Sequence, residues 1–155
     1  MKTIQSFMVN HLNLKSGLYV SRKDALNGVT VTTFDLRFKM PNKEEVLNSP
    51  AIHTIEHIGA TFLRNSSRKD EIIYFGPMGC KTGFYLLMFG DLTSKDVYPL
   101  IVEMLEYIAN FEGEIPGATP KECGNFSEQD LPTCKIYAKE YLRRLVNEKN
   151  FEYNK

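Results

Sequence analysis

A chain of 155 residues with 19 acidic and 19 basic side chains is about one domain's worth, and its balanced charge gives no footing for nucleic acid or an anionic membrane. No apolar run approaches the ~18 residues of a membrane span, and the opening MKTIQSFMVN lacks the charged-then-apolar pattern of an export signal. Three cysteines, Cys80, Cys123 and Cys134, are too few and too odd for a disulfide framework, so a cytoplasmic location is expected, with thiols serving as metal ligands, catalysts or core filler.

Residues 1–16 carry little periodicity, and composition alone reads them as a fraying arm. Residues 17–22 read as a short strand, Asn27-Gly28 as a hairpin turn, and residues 29–40, alternating and rich in β-branched and aromatic side chains, as a long strand. Alternation sends Phe34, Leu36 and Phe38 one way and Thr33, Asp35 and Arg37 the other. Spacing alone therefore puts Arg37 on an open sheet face. Pro41 stops the strand, and residues 43–47 can make a helical turn. A helix follows, entered through Ser49 as cap and Pro50 as first residue, with Ile52, Ile55, Ile58, Ala60 and Phe62 turned to the sheet.

Beyond a polar break at residues 65–70, strands at 71–78 and 84–89 flank Gly79-Cys80-Lys81-Thr82-Gly83. The two glycines are expected to make the turn and leave the Cys80 thiol at the hairpin tip. Thr93 and Ser94 cap a helix over 95–110, whose buried stripe is Val97, Leu100, Ile101, Met104, Leu105 and Ile108. A Gly/Pro loop at 113–120 leads to Cys123-Gly124, and residues 130–149 form a last helix bearing Tyr137, Tyr141, Leu142 and Leu145. Hairpins alternating with helices, with no repeat or linker, predict one α+β domain over 1–155: an antiparallel β-sheet with helices packed on one face.

Chemistry concentrates on the helix that Ser49 opens. His53, Glu56 and His57 leave one face of it together, because spacings of three and four residues make one helical turn. Two imidazoles so placed can hold one metal ion, and a carboxylate beside them can move protons for whatever the ion polarises. The bland alternative is two helical histidines beside a surface Glu, but the chain has only three histidines and two are here. A third ligand is sought among Cys123, Glu128 and Asp130. Cys123 is the best of these, since Gly124 permits close backbone approach and a thiolate suits a soft divalent metal. Cys134 reads as a small buried hydrophobe. Cys80 does not, because a glycine-flanked tip is a poor place for core filler. The same motif also fits an inverted zinc peptidase, with Glu56 activating a water, although a chain this short leaves little room for a peptide groove and would leave Cys80 idle.

The stretches QSFMVNH, FDLRF, PNKE, IHTIEH, GPMGCKTGFY and ECGNF, in this order and spacing, resemble the S-ribosylhomocysteine lyase family, the LuxS autoinducer synthases, from Ser6 to about Asp130. The resemblance implies a homodimer with active sites at the subunit interface. It implies one divalent metal per subunit, Fe(II) with zinc as the usual substitute, held by His53, His57 and Cys123. It makes Cys80 and Glu56 the acid–base pair and places Ser6, His11 and Arg37 around the sugar, against the bland readings of the arm and of Arg37. The implied reaction splits S-ribosylhomocysteine into homocysteine and 4,5-dihydroxy-2,3-pentanedione, an autoinducer precursor, by carbonyl migration through enediolates and β-elimination. Three departures stand out: Asn10 where relatives usually have Asp, Gln129 where they usually have His, and Tyr74-Phe75-Gly76 where Asp-Ile-Ser is common.

Overall fold

Asn27 and Gly28 both take left-handed backbone conformations, with φ of 51° and 77°, as a tight hairpin turn of this kind requires. They join β1 (Gly17–Leu26) to β2 (Val29–Arg37). The structure is a computed structural model that describes residues 1–154; Lys155 lies outside them. A second hairpin, β3 (Ile72–Pro77) with β4 (Gly83–Phe89), completes a four-stranded antiparallel sheet in the order β1-β2-β4-β3. Three α-helices accompany it: α1 (Ser49–Arg64), α2 (Ser94–Ala109) and α3 (Leu131–Glu148).

Several boundaries differ from those read in the sequence. β1 runs past Arg22 to Leu26, because the ladder carries Lys23 opposite Thr32 and Leu26 opposite Val29 despite the local charge. β2 stops at Arg37, where the N–H groups of Phe38 and Lys39 both turn to the Thr82 carbonyl at 3.0 Å. The cap of α1 is Asn48 rather than Ser49, its side chain accepting from the Ala51 N–H at 2.8 Å. Before it, residues 41–44 make a turn and no helix. Thr93 caps α2 in a reciprocal box with Asp96, while Ser94 is already helical and buried. At the β3–β4 tip the left-handed residue is Lys81, φ 60°, and not a glycine. Gly83 is needed for a different reason: a Cβ there would sit 2.2 Å from the Leu36 carbonyl oxygen.

One sheet face carries Leu18, Phe34, Leu36, Phe84, Leu86 and Met88 into a core shared with Ile55, Ile58, Ile101, Met104, Leu105 and Tyr141 of the helices. α1 packs against β3, and α2 and α3 pack against β1 and each other. The expected stripe of α2 is buried throughout. Cys134 is fully buried, as read, and burial pushes its thiol up to about 12. On the opposite sheet face Tyr19, Asp35 and Tyr85 lie abreast. The arm crosses near this face: Ile4, Gln5 and Ser6 share a hollow with Thr33, Tyr85 and Leu87. Its one regular feature is a 3₁₀ turn at Gln5–Phe7. Among the described residues no helix is long and apolar enough to cross a membrane.

Candidate functional site

The helical spacing of His53 and His57 brings their Nε2 atoms to 2.9 Å. Each ring is aimed from behind by a carbonyl on the irregular stretch between α2 and α3. His53 Nδ1 meets the Glu128 oxygen at 2.8 Å, and His57 Nδ1 meets the Pro116 oxygen at 2.6 Å. A carbonyl only accepts, so each Nδ1 must carry the proton and each Nε2 is left bare in the neutral ring. Two bare nitrogens this close repel unless a proton or a cation lies between them. Gly117 lets the Pro116 carbonyl come in, since it takes φ of 70° and even a Cβ there would stand 3.2 Å from His57 Nδ1.

Cys123 completes the cluster. Its Sγ lies 3.4 Å from His53 Nε2, and one ligand atom from each of His53, His57 and Cys123 falls within 4.8 Å of the others. Two imidazoles and a thiol, all half-buried, make a donor set that fits a divalent transition metal and leaves a position open. The other candidates for a third ligand do different work. Glu128 contributes its backbone to His53, and the Asp130 carboxylate caps α3 by accepting from the Thr133 N–H at 3.0 Å.

Thr54 ties this stretch to α1. Its hydroxyl donates to Gln129 Oε1 at 2.7 Å and accepts from the Asp130 N–H at 2.9 Å, in a fully buried position. Gln129 is thus fixed next to Glu128, whose carbonyl holds the His53 ring. Asn10 and Tyr74 stand apart from this support: the Asn10 side chain accepts from the Leu12 N–H, and Tyr74 is exposed.

Glu56 and His53 open into a cleft of about 370 Å³ whose other walls include Ser49, Met78, Gly79 and Lys81. The residues on either side of Cys80 therefore line the cleft that Glu56 lines. The Cys80 thiol is at an exposed position, with Sγ 3.1 Å from Thr82 Oγ1 and 3.9 Å from Arg37 Nη1. Arg37 is not the exposed residue that alternation alone suggested. It is 3% exposed, because Asp35 on the same strand face binds it through two hydrogen bonds of 2.7 and 3.0 Å. Burial opposes its charge, but the Asp35 carboxylate more than offsets that and holds its ionisation above the ordinary value, with Cys80 and Tyr153 adding to the effect. Its cross-strand neighbours are Gly17 and Gly83, which place no side chain in its way.

Ser6 and His11 are not gathered here. Ser6 lines the separate hollow beside Thr33, Tyr85 and Leu87, and the His11 ring turns back to the Val9 carbonyl at 2.8 Å. The supports the sequence reading passed over are Asp35, Thr54, Thr82 and the two loop carbonyls. Only Asp35 had a visible signal, its i, i+2 spacing to Arg37.

The family model for S-ribosylhomocysteinase (LuxS) matches residues 4–152. An S-ribosylhomocysteine lyase of Finegoldia magna is 54% identical over 147 residues, covering 95% of this chain and 94% of that protein. Proteins of the same name from Porphyromonas gingivalis strain W83 and Borreliella burgdorferi are each 51% identical, over 157 and 156 residues, covering 99% of both partners in each comparison.

Proposed function

The chain belongs to the S-ribosylhomocysteinase (LuxS) family, and on that premise we propose that it is a metal-dependent carbon–sulfur lyase. Its reaction releases homocysteine from S-ribosylhomocysteine and leaves 4,5-dihydroxy-2,3-pentanedione. The observation that carries the reading is the convergence of His53, His57 and Cys123 beside a carboxylate, Glu56, in a cleft shared with the Cys80 tip. A peptidase reading of the same helix motif is not favoured, since the family match runs over nearly the whole chain.

His53, His57 and Cys123 would hold one divalent ion per subunit, Fe(II) in the native enzyme and zinc in its place when iron is lost. When bound, the ion supplies Lewis acidity to the charge that builds on the sugar oxygens. Cys80 takes the proton from C2 of the ring-opened sugar and returns one at C1, then repeats the exchange between C3 and C2. The carbonyl has then moved from C1 to C3, and the proton on C4 is acidic. Glu56 removes it, the electron pair forms the C4–C5 double bond, and the C5–S bond breaks to release homocysteine. The enol left behind tautomerises to the dione. Arg37, fixed by Asp35, keeps a positive charge beside Cys80 while this happens.

We assign the working unit as a homodimer of single-domain chains. Ile4, Phe7, Met8 and Leu12 of the arm are all exposed, next to a sheet face that lacks a helical cover. Such surface suits a second copy, and the separation of Ser6 and His11 from the metal cluster suits sites completed by the neighbour's arm. On mixing and subunit exchange, inactive His11→Ala and inactive Cys80→Ala chains then restore turnover, because one hybrid site is whole. No restoration would mean that each site is built from one chain. Three unpaired thiols fit a reducing cytoplasm.

The assay that tests the function is thiol release from S-ribosylhomocysteine by anaerobically purified protein, followed with a thiol reagent, together with metal analysis. Cys123→Ala should lose its tightly held metal, whereas Cys134→Ala, altering a core position, should keep it. Full metal occupancy in Cys123→Ala sinks the ligand assignment.

A further inference from the structure

The segment after α3 returns to the sheet. Lys149 ends the helix in a left-handed conformation, φ 49°, and Asn150 clamps onto the start of β1. The Asn150 carbonyl accepts from the Leu18 N–H at 2.9 Å, and its side-chain amide donates to the Ser16 carbonyl at 2.9 Å. Phe151 then packs edge-on against Tyr98 of α2, and Tyr153 lies flat on Tyr19, with ring centroids 4.5 Å apart. From that stack the Tyr153 hydroxyl donates to Asp35 Oδ2 at 2.7 Å. The same oxygen accepts from Arg37 Nη2 at 2.7 Å. The far end of the guanidinium, Nη1, donates to Thr82 Oγ1 at 2.9 Å and faces Cys80 Sγ. One hydrogen-bonded chain thus runs from Tyr153 in the tail to the hairpin tip.

We propose that Tyr153 is a positioning residue for the Cys80 thiol, acting through Asp35 and Arg37. The role rests on the reading that Cys80 moves the substrate's protons. Asp35 and Arg37 are 1% and 3% exposed in their side chains, and a buried ion pair holds its geometry only if its remaining lone pairs are also satisfied. Tyr153 supplies the second donor to Asp35 Oδ2, beside Arg37 Nη2. Burial, and then the Asp35 charge, push the phenol's ionisation far up, so the hydroxyl keeps the proton it donates. Without that proton the carboxylate offsets more of the guanidinium's positive charge and draws it back from the tip. Both effects leave less positive charge beside the Cys80 sulfur and so less support for its reactive thiolate form.

Iodoacetamide labelling at one fixed pH, with the tip peptide quantified by mass spectrometry, reads Cys80 separately from Cys123 and Cys134. Tyr153→Phe keeps the ring on Tyr19 and removes only the donor. Its Cys80 should label about three- to tenfold more slowly, a fraction of the worth of one hydrogen bond to a charged group, because the effect reaches the sulfur only through Asp35 and Arg37. Its kcat should fall by a similar factor, with KM within about twofold of the parent. Placing 4-aminophenylalanine at position 153 returns a donor and should restore both. Unchanged labelling in Tyr153→Phe overturns the proposal, and so does slowing that the amino analogue fails to reverse, since the ring's fit would then be what matters. Turnover persisting in Cys80→Ala would overturn the acid–base reading alone, leaving the labelling result to judge the network.

Discussion

Glu56→Gln leaves the enzyme with its metal and takes about two to four decades from homocysteine release, the range a lost general base commands. Glutamine has the shape of glutamate, so α1 and the two histidines keep their places. Its amide has no basic site for a carbon-bound proton. The parent carboxylate is well placed for that one task. It is half-buried, has no hydrogen-bonding partner among the described residues, and faces the cleft one helical turn from His53. Because the proposed isomerisations belong to Cys80, the blocked variant should accumulate a ketose that carbon NMR detects. Rapid thiol release by Glu56→Gln would show that the carboxylate only steadies the neighbouring histidines, and its role would have to be abandoned.

Cys80→Ala fails earlier, by a comparable two to four decades or roughly so. In heavy water the parent enzyme exchanges the proton at C2 each time the carbonyl moves, so recovered substrate gains deuterium there. The alanine variant should gain none. Its Glu56 and the three residues that would hold the metal are untouched, so the 3-keto isomer supplied directly should still be cleaved. The two variants therefore divide the reaction at the same intermediate from opposite sides. Deuterium appearing at C2 in Cys80→Ala would place the first base elsewhere.

Much of this site was legible because periodic patterns carry it. The three-and-four spacing of His53, Glu56 and His57 translates directly into one helix face, and Asn27-Gly28 could hardly be anything but a turn. Cys123 was reached from its thiolate chemistry and the glycine beside it, since nothing local says where an irregular loop will fold; the geometry here comes from Thr54 and two ring-to-carbonyl bonds across more than one element. Arg37 shows where alternation misleads. Facing away from the helices does not mean facing water when a distant tail covers that part of the sheet. Tyr153 left no trace in the sequence, because its partners, Tyr19 and Asp35, lie far back along the chain and no repeat links them. In β1 the reading stopped at Arg22, whereas Lys23 and Asp24 stay in the ladder, on an edge strand that tolerates their charge.

Both histidines are two-ended: one ring nitrogen grips the loop and the other faces the ion position. An ion taken up at Nε2 locks the remaining proton onto Nδ1, where the loop carbonyls need it, and the seated loop presents the Cys123 sulfur. By reciprocity, whatever the ion contributes to seating the loop, the seated loop contributes equally to retaining the ion. A substitution that loosens the loop would then weaken the hold on a bound ion by the same free energy.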